Sequence, residues 1–330
     1  MNNKSNNINI LHISTDEKTI SCITKCDDNR VYLSYTSKFF FKDISGSTFD
    51  IKSSVIMIDE SELTNLHLSR YDEIASVDGA IIGLEPATDD SIFVLVKTYD
   101  LSLQESQFIF GAINTKTSQF EKISTLPHPA YHLNKVNSNI LIAWNNSFKM
   151  VTFDGGKNWK KLEVNGYAKG VMYANDMYFL HNDRHVTMFR HKDLEQGIAR
   201  PIIFATLKHE ANAFIFNQDG FPFFSIKQDG IPYAISYDES IKIMLMDEIP
   251  NKEHYMYIVA TGNQGCFYSI YCGQNSPFSS NVRIMMSCND GVSETNNMTY
   301  IPELIFENSS YLFFIGGVAK KSHFFAIQKQ

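Results

Sequence analysis

Short apolar runs rich in Ile, Val, Phe and Tyr alternate along the chain with clusters of Asn, Asp, Gly and Ser. The runs recur every ~8–12 residues, the spacing of a sandwich, barrel or propeller. Helical periodicity is rare, and its best instance is Glu60–Tyr71. The clearest unit, Tyr131–Val164, reads as four strands: Tyr131–Val136, Ile140–Trp144, Phe148–Phe153 and Trp159–Val164. The turns between them are Asn137–Asn139, Asn145–Ser147 and Asp154–Asn158. Strands joined in series by short hairpins form an antiparallel meander, which is one propeller blade.

The same template fits the flanking segments. Before this unit lie Ala80–Leu84, Ser91–Lys97, Gln107–Ile113 and Gln119–Ile123. After it come Lys169–Ala174, Met177–Leu180, His185–Phe189 and Pro201–Ala205. Asn212–Phe216, Phe223–Ile226, Ile231–Ser236 and Ile241–Met246 follow, with Asp219-Gly220 and Asp229-Gly230 turns whose glycines accept positive φ. A sixth unit holds Tyr255–Ala260, Cys266–Tyr271, Val282–Ser287 and a tail near Glu294.

The last unit has only Glu303–Phe306, Tyr311–Ile315 and His323–Gln328, one strand short of the template, while Ile8–Ser14 stands alone before the first unit. If Ile8–Ser14 completes the last blade, a free sheet edge disappears. The expectation is therefore an all-β, seven-bladed β-propeller of four-stranded antiparallel blades, with ~47 residues per blade and six or eight blades as alternatives. Its single domain spans 1–330, with blades near 19–59, 71–125, 130–165, 167–205, 210–250, 254–298, and 299–330 plus 8–14.

One turn carries a motif. In Thr152-Phe-Asp154-Gly-Gly156-Lys-Asn158-Trp159, the Thr and Asp side chains are spaced to bond the turn backbone, and Gly156 permits a conformation that other residues resist. This segment resembles the Asp-box, or BNR repeat, of sialidase-like propellers, with Asn158 in place of the family's Thr. Fainter copies are Ser236-Tyr-Asp238, which starts 84 positions later, and Ser287-Cys-Asn289-Asp-Gly291, 51 positions beyond that. Ile113–Ile123 aligns without gaps to Thr152–Leu162, with Phe120 in the place of Trp159. The resemblance implies that Thr152, Asp154, Gly156 and Trp159 form a structural staple, on the face away from the usual binding site.

Composition narrows the function. The chain has 29 Lys+Arg against 36 Asp+Glu, a net charge of −7, which argues against nucleic acid as the main partner. The 25 Phe and 16 Tyr suit pleated surfaces. No apolar run of ~18 residues predicts a membrane span, and the N-terminus shows no secretory h-region. With five cysteines, an odd number, free thiols in a reducing cytoplasm are expected. Cys22-x3-Cys26 lacks a second Cys/His pair for a metal, and no cofactor motif occurs.

An active sialidase would require an arginine triad and an Arg-Ile-Pro segment. The chain has six arginines (Arg30, Arg70, Arg184, Arg190, Arg200 and Arg283) and no Arg-Ile-Pro, so no catalytic residue is assigned. Binding is expected on the face that carries the loops between second and third strands. The candidates there are Trp144, Asn145 and Asn146; His181, Asp183 and Arg184 at a polar hairpin tip; and Pro277 and Phe278 in the longest loop, Cys272–Asn281. The leading expectation is a non-enzymatic, protein-binding platform, monomeric when free. The resemblance extends to propellers of the photosystem II assembly-factor type and to immunity proteins that neutralise a basic toxin. The alternative is a glycan-acting or glycan-binding propeller.

Overall fold

Seven four-stranded sheets account for all 28 strands among the described residues. The computed structural model describes residues 8–13, 15, 18–26, 29–37, 51–88, 90–100, 105–246, 255–262, 265–276, 279–288, 291–318 and 321–329. In chain order, β1 (Ile10–Ile13) precedes the first blade, which is β2 (Thr19–Lys25), β3 (Arg30–Ser37), β4 (Lys52–Asp59) and β5 (Ala75–Asp78). The second is β6 (Ala80–Thr88), β7 (Ser91–Asp100), β8 (Glu105–Asn114) and β9 (Gln119–Thr125). The third is β10 (His132–Lys135), β11 (Leu141–Trp144), β12 (Lys149–Thr152) and β13 (Lys160–Lys161). The fourth is β14 (Ala168–Tyr173), β15 (Asp176–His181), β16 (His185–Phe189) and β17 (Ile202–Thr206), with one short helix, α1 (His191–Glu195), before β17.

The fifth blade is β18 (Ala211–Phe216), β19 (Pro222–Gln228), β20 (Ile231–Ser236) and β21 (Lys242–Met244). The sixth is β22 (Tyr255–Thr261), β23 (Phe267–Ser276), β24 (Ser279–Cys288) and β25 (Gly291–Glu294). The seventh comprises β26 (Glu303–Glu307), β27 (Tyr311–Val318) and β28 (Lys321–Gln328), and its sheet runs β1-β28-β27-β26. The N-terminal strand thus fills the outer place that the repeat left vacant. The chain is an all-β, seven-bladed propeller. Its contacts gather into two compact units, one of residues 1–12, 165–188 and 202–330, the other of residues 13–164 and 189–201.

Alternation explains why these residues form strands that pack on both sheet faces. Along β22, Met256, Ile258 and Ala260 are buried while Tyr255, Tyr257 and Val259 are not. Met256 and Ile258 pack with Phe223, Ala234 and Leu245 of the fifth blade. Tyr257 and Val259 lean on a cluster with Leu312, Phe314 and Phe325 of the seventh. Ile8 is buried in that same cluster, with Ile10 packed against it, which attaches the N-terminal segment to the last blade.

Several expectations are corrected. The fourth strand of the first blade is Ala75–Asp78, inside the segment assigned to the second blade. The helical period of Glu60–Tyr71 is realised as two 3₁₀ segments, Glu60–Asn65 and Leu68–Arg70. Buried Leu63 and Leu66 are three apart, which matches the 3₁₀ repeat. The strand expected over Trp159–Val164 narrows to Lys160–Lys161. The expected long loop Cys272–Asn281 is instead the tip of a hairpin, whose pairing runs out to Ser276 and Ser279. Not all cysteines are free: Cys266 and Cys288 form a disulfide between the ends of β23 and β24, while Cys22, Cys26 and Cys272 are thiols. The Cys266 and Cys288 Cα atoms lie 4.4 Å apart, because Phe267 and Ser287 pair directly beside them.

Candidate functional site

The motif turn is built as its residue types require. Thr152 Oγ1 donates to Asp154 Oδ1 at 2.8 Å and accepts from the Gly156 N–H at 3.0 Å. Asp154 accepts from the Asn158 N–H at 2.9 Å and from the Asn158 amide at 2.7 Å. These donors, led by the Asn158 amide, hold the Asp154 carboxyl at a pKa of about 2. Trp159 Nε1 donates to Ser124 Oγ at 3.1 Å, and its ring meets Phe110 edge-on at 5.4 Å. Phe120 sits in the cluster of the first and second blades as Trp159 does in that of the second and third. Ser236 and Asp238 build a related turn: Ser236 Oγ donates to Asp238 at 2.6 Å and accepts from the Ile241 N–H at 3.0 Å. In the third copy, Asn289 lies outside the described residues, and Ser287 Oγ donates to the Leu245 carbonyl at 2.8 Å.

The predicted binding residues fall into separate structural roles. Trp144 is buried: it stacks on His132 at 4.0 Å and donates to Asn134 Oδ1 at 2.8 Å, so it belongs to the packing of its blade and not to an exposed rim. Asn145 shapes the hairpin, accepting from the N–H groups of Ser147 and Phe148, both at 2.7 Å. The Asn146 carbonyl accepts from Lys149 Nζ at 2.8 Å. Lys149 itself is buried, and desolvation lowers its pKa to about 8. In the other unit, Asn182 and Asp183 both adopt positive φ, 50° and 56°, the conformation of a tight two-residue hairpin. There His181 bonds Thr187 at 2.7 Å, the Asp183 carbonyl accepts from Ala211, and Arg184 pairs with Glu210 at 3.1 Å. Pro277 and Phe278 lie outside the described residues. Among the described residues, no group of three or more His, Cys, Asp or Glu is arranged to hold a metal.

Two features that the sequence reading missed lie in the unit containing the last three blades. A cleft of about 460 Å³ opens between first strands of neighbouring blades and is lined by Ile215 of β18, Tyr257 and Val259 of β22, and Ile301, Glu303 and Leu304 at the start of the seventh blade. Ile301 is 50% exposed. Glu303 keeps an exposed face, while desolvation by the cleft walls raises the pKa of its carboxyl, and burial raises that of Tyr257 with a smaller contribution from Glu303. Tyr255 stacks beside Tyr257 with ring centres 6.0 Å apart, and burial pushes its pKa up to about 12.

The second feature is a cavity of about 490 Å³ beside β1, lined by Asn9, His12, Asn296, Asn297, Tyr300 and His323. Tyr300 and His323 stack in parallel at 4.8 Å, and Arg283 holds Asn297 at 2.6 Å and Glu294 at 2.8 Å. The sequence signal for the first feature was the pair Tyr255 and Tyr257 on the alternating face of β22. For the second it was the polar stretch Asn296–Tyr300 between blades. In the other unit, burial pushes the Glu85 carboxyl of β6 up to about 7, and neighbouring Lys135 donates to the Pro86 carbonyl at 2.5 Å.

No protein-family model matches the sequence, and none of the curated proteins does. Solved structures do match in fold. YCF48 from Cyanidioschyzon merolae aligns over 97% of this chain and 98% of its own, with a TM-score of 0.56 and 12% identity. A structure described as YCF48 bound to D1 peptide aligns over 98% and 97%, with a TM-score of 0.54 and 11% identity. Virginiamycin B lyase from Staphylococcus aureus aligns over 98% and 99%, with a TM-score of 0.56 and 12% identity. At these identities the likeness is one of fold.

Proposed function

We propose that this chain is a non-enzymatic, polypeptide-binding propeller of the BNR type. The observation that carries the reading is the cleft at Ile215, Tyr257 and Glu303, which sets aromatic and apolar walls around one carboxylate and leaves Ile301 open to solvent. Concave sites of this composition suit an anchoring side chain. The D1 peptide named with YCF48 supports a polypeptide ligand by analogy of fold. The BNR assignment rests on the Thr152–Trp159 turn.

Within this reading the partner is an assembly client or a basic toxin, the latter suited to a net charge of −7. Action in the cytoplasm belongs to the same reading. The Cys266–Cys288 bridge weighs against it, since such bonds persist mainly in oxidising compartments.

A photo-reactive phenylalanine analogue at Ile301 tests the proposal in the native lysate. The expected result is one dominant adduct of protein mass, and labelling no stronger than at an exposed control position such as Lys157 would overturn it. A second reading, glycan binding, is favoured by the Asn9, Asn296, Asn297 and Tyr300 cavity, because amides and an aromatic ring suit a neutral polyol. Retention on a glycan array that is lost on Asn296→Ala would select it.

A further inference from the structure

We propose that the Glu303 cleft receives a basic side chain, lysine or arginine, from the polypeptide partner. The inference rests on the polypeptide-binding reading and names the chemistry of its anchor. Glu303 lines the cleft among Ile215, Tyr257, Val259, Ile301 and Leu304, and it has no ion-pair partner among the described residues. Four described cations of the same unit are engaged elsewhere. Lys169 donates to the Asn212 carbonyl at 2.6 Å, Arg184 pairs with Glu210, Arg283 with Glu294, and Lys329 with Glu307. Glu303 stands exposed at the cleft, so its carboxylate is open to a cation arriving from solvent. A ligand cation is attracted to it, and acidic side chains are repelled by the same group.

The walls suit the rest of a basic side chain. The aliphatic stem of lysine or arginine packs on apolar surface while its head reaches a polar group. Ile215, Val259 and Ile301 offer that surface, and Tyr257, which also lines the cleft, offers an aromatic ring attractive to a cation. The raised pKa of Glu303 agrees with a site completed from outside: a cation placed against it would return the carboxyl to its ordinary range.

The test is fluorescence anisotropy on the full chain, using short peptide pools that share mixed Ala, Leu and Ser flanks and differ at one central position. Lysine pools should bind about tenfold more tightly than norleucine pools, and glutamate pools should not bind. Glu303→Gln should erase the preference with an unchanged melting temperature, and Glu303→Lys should transfer it to the glutamate pools. Equal binding of lysine and norleucine pools would overturn the basic anchor and leave the polypeptide reading standing. So would a preference that survives Glu303→Gln. Failure of every pool together with loss of the Ile301 adduct would overturn both.

Discussion

Asp154 and Gly156 show how much of a blade rests on single residues. Asp154 organises its turn through Asn158 and Thr152, so Asp154→Ala should lower stability by roughly 1–2 kcal/mol, read from urea unfolding, and leave ligand binding intact. The pH dependence has a definite sign. The folded carboxyl titrates near 2, below an unfolded carboxylate, so its contribution is present above ~4 and is lost as pH falls toward 2. The urea midpoint of Asp154→Ala should therefore fall less than that of the parent between pH 5 and pH 2.5. Gly156 is at φ +88°, and a Cβ there would run into the Phe110 ring. Gly156→Ala should cost more than Asp154→Ala, about 2–4 kcal/mol, since strain and a core clash add. This turn was legible in the sequence because the bonds among Thr152, Asp154, Gly156 and Asn158 all lie within a few residues. Buried Lys149 was not legible: its environment comes from the fold of the hairpin, to which its own letters give no clue.

At the scale of elements, most strand positions were readable because inner strands such as β22 alternate and others such as β11 are apolar throughout, and turn residues punctuate the runs. What misled was polarity without a turn. Gly273-Gln-Asn-Ser276 reads as a loop, yet it continues β23 in register with Ser279–Asn281. A long hairpin leaving the core needs no apolar residues, so the hydrophobic pattern carries no record of it. The same hairpin explains the cysteines. Register brings Cys266 opposite Cys288, a pairing between residues 22 apart that no count of cysteines could reveal. Closing a loop of this length should stabilise the chain by about 3 kcal/mol, chiefly by restricting the unfolded ensemble. Cys266→Ser with Cys288→Ser, or reduction of the parent under native conditions, should lower the urea midpoint accordingly. An unchanged midpoint in the double variant would show that the bridge is dispensable. Cys272, buried in the middle of β23, should resist alkylation until unfolding, since burial raises its pKa.

For the whole molecule, closure is the consequential feature. The propeller repeat was legible from a missing strand at one end of the sequence and an orphan strand at the other, which the sheet order β1-β28-β27-β26 unites. The candidate cleft was not legible, because Tyr257 and Glu303 are 46 positions apart and meet only when neighbouring blades pack. Closure makes a direct prediction. Removing residues 1–12 would take away Ile8, a member of the cluster that holds Leu312, Phe325 and Ile327, and Ile10, which packs against that cluster, and would uncover the edge of β28. Loss of two such aliphatic contacts should cost roughly 2–4 kcal/mol. The exposed edge carries Phe324, Phe325 and Ile327, an apolar strand with unpaired backbone groups, so the truncated chain should also self-associate. Size-exclusion chromatography and a melting curve read both effects. Adding a peptide of residues 1–14 in trans should restore the melting temperature and the monomer peak if edge pairing is the cause. Recovery by a peptide of the same composition in scrambled order would instead assign the loss to solubility.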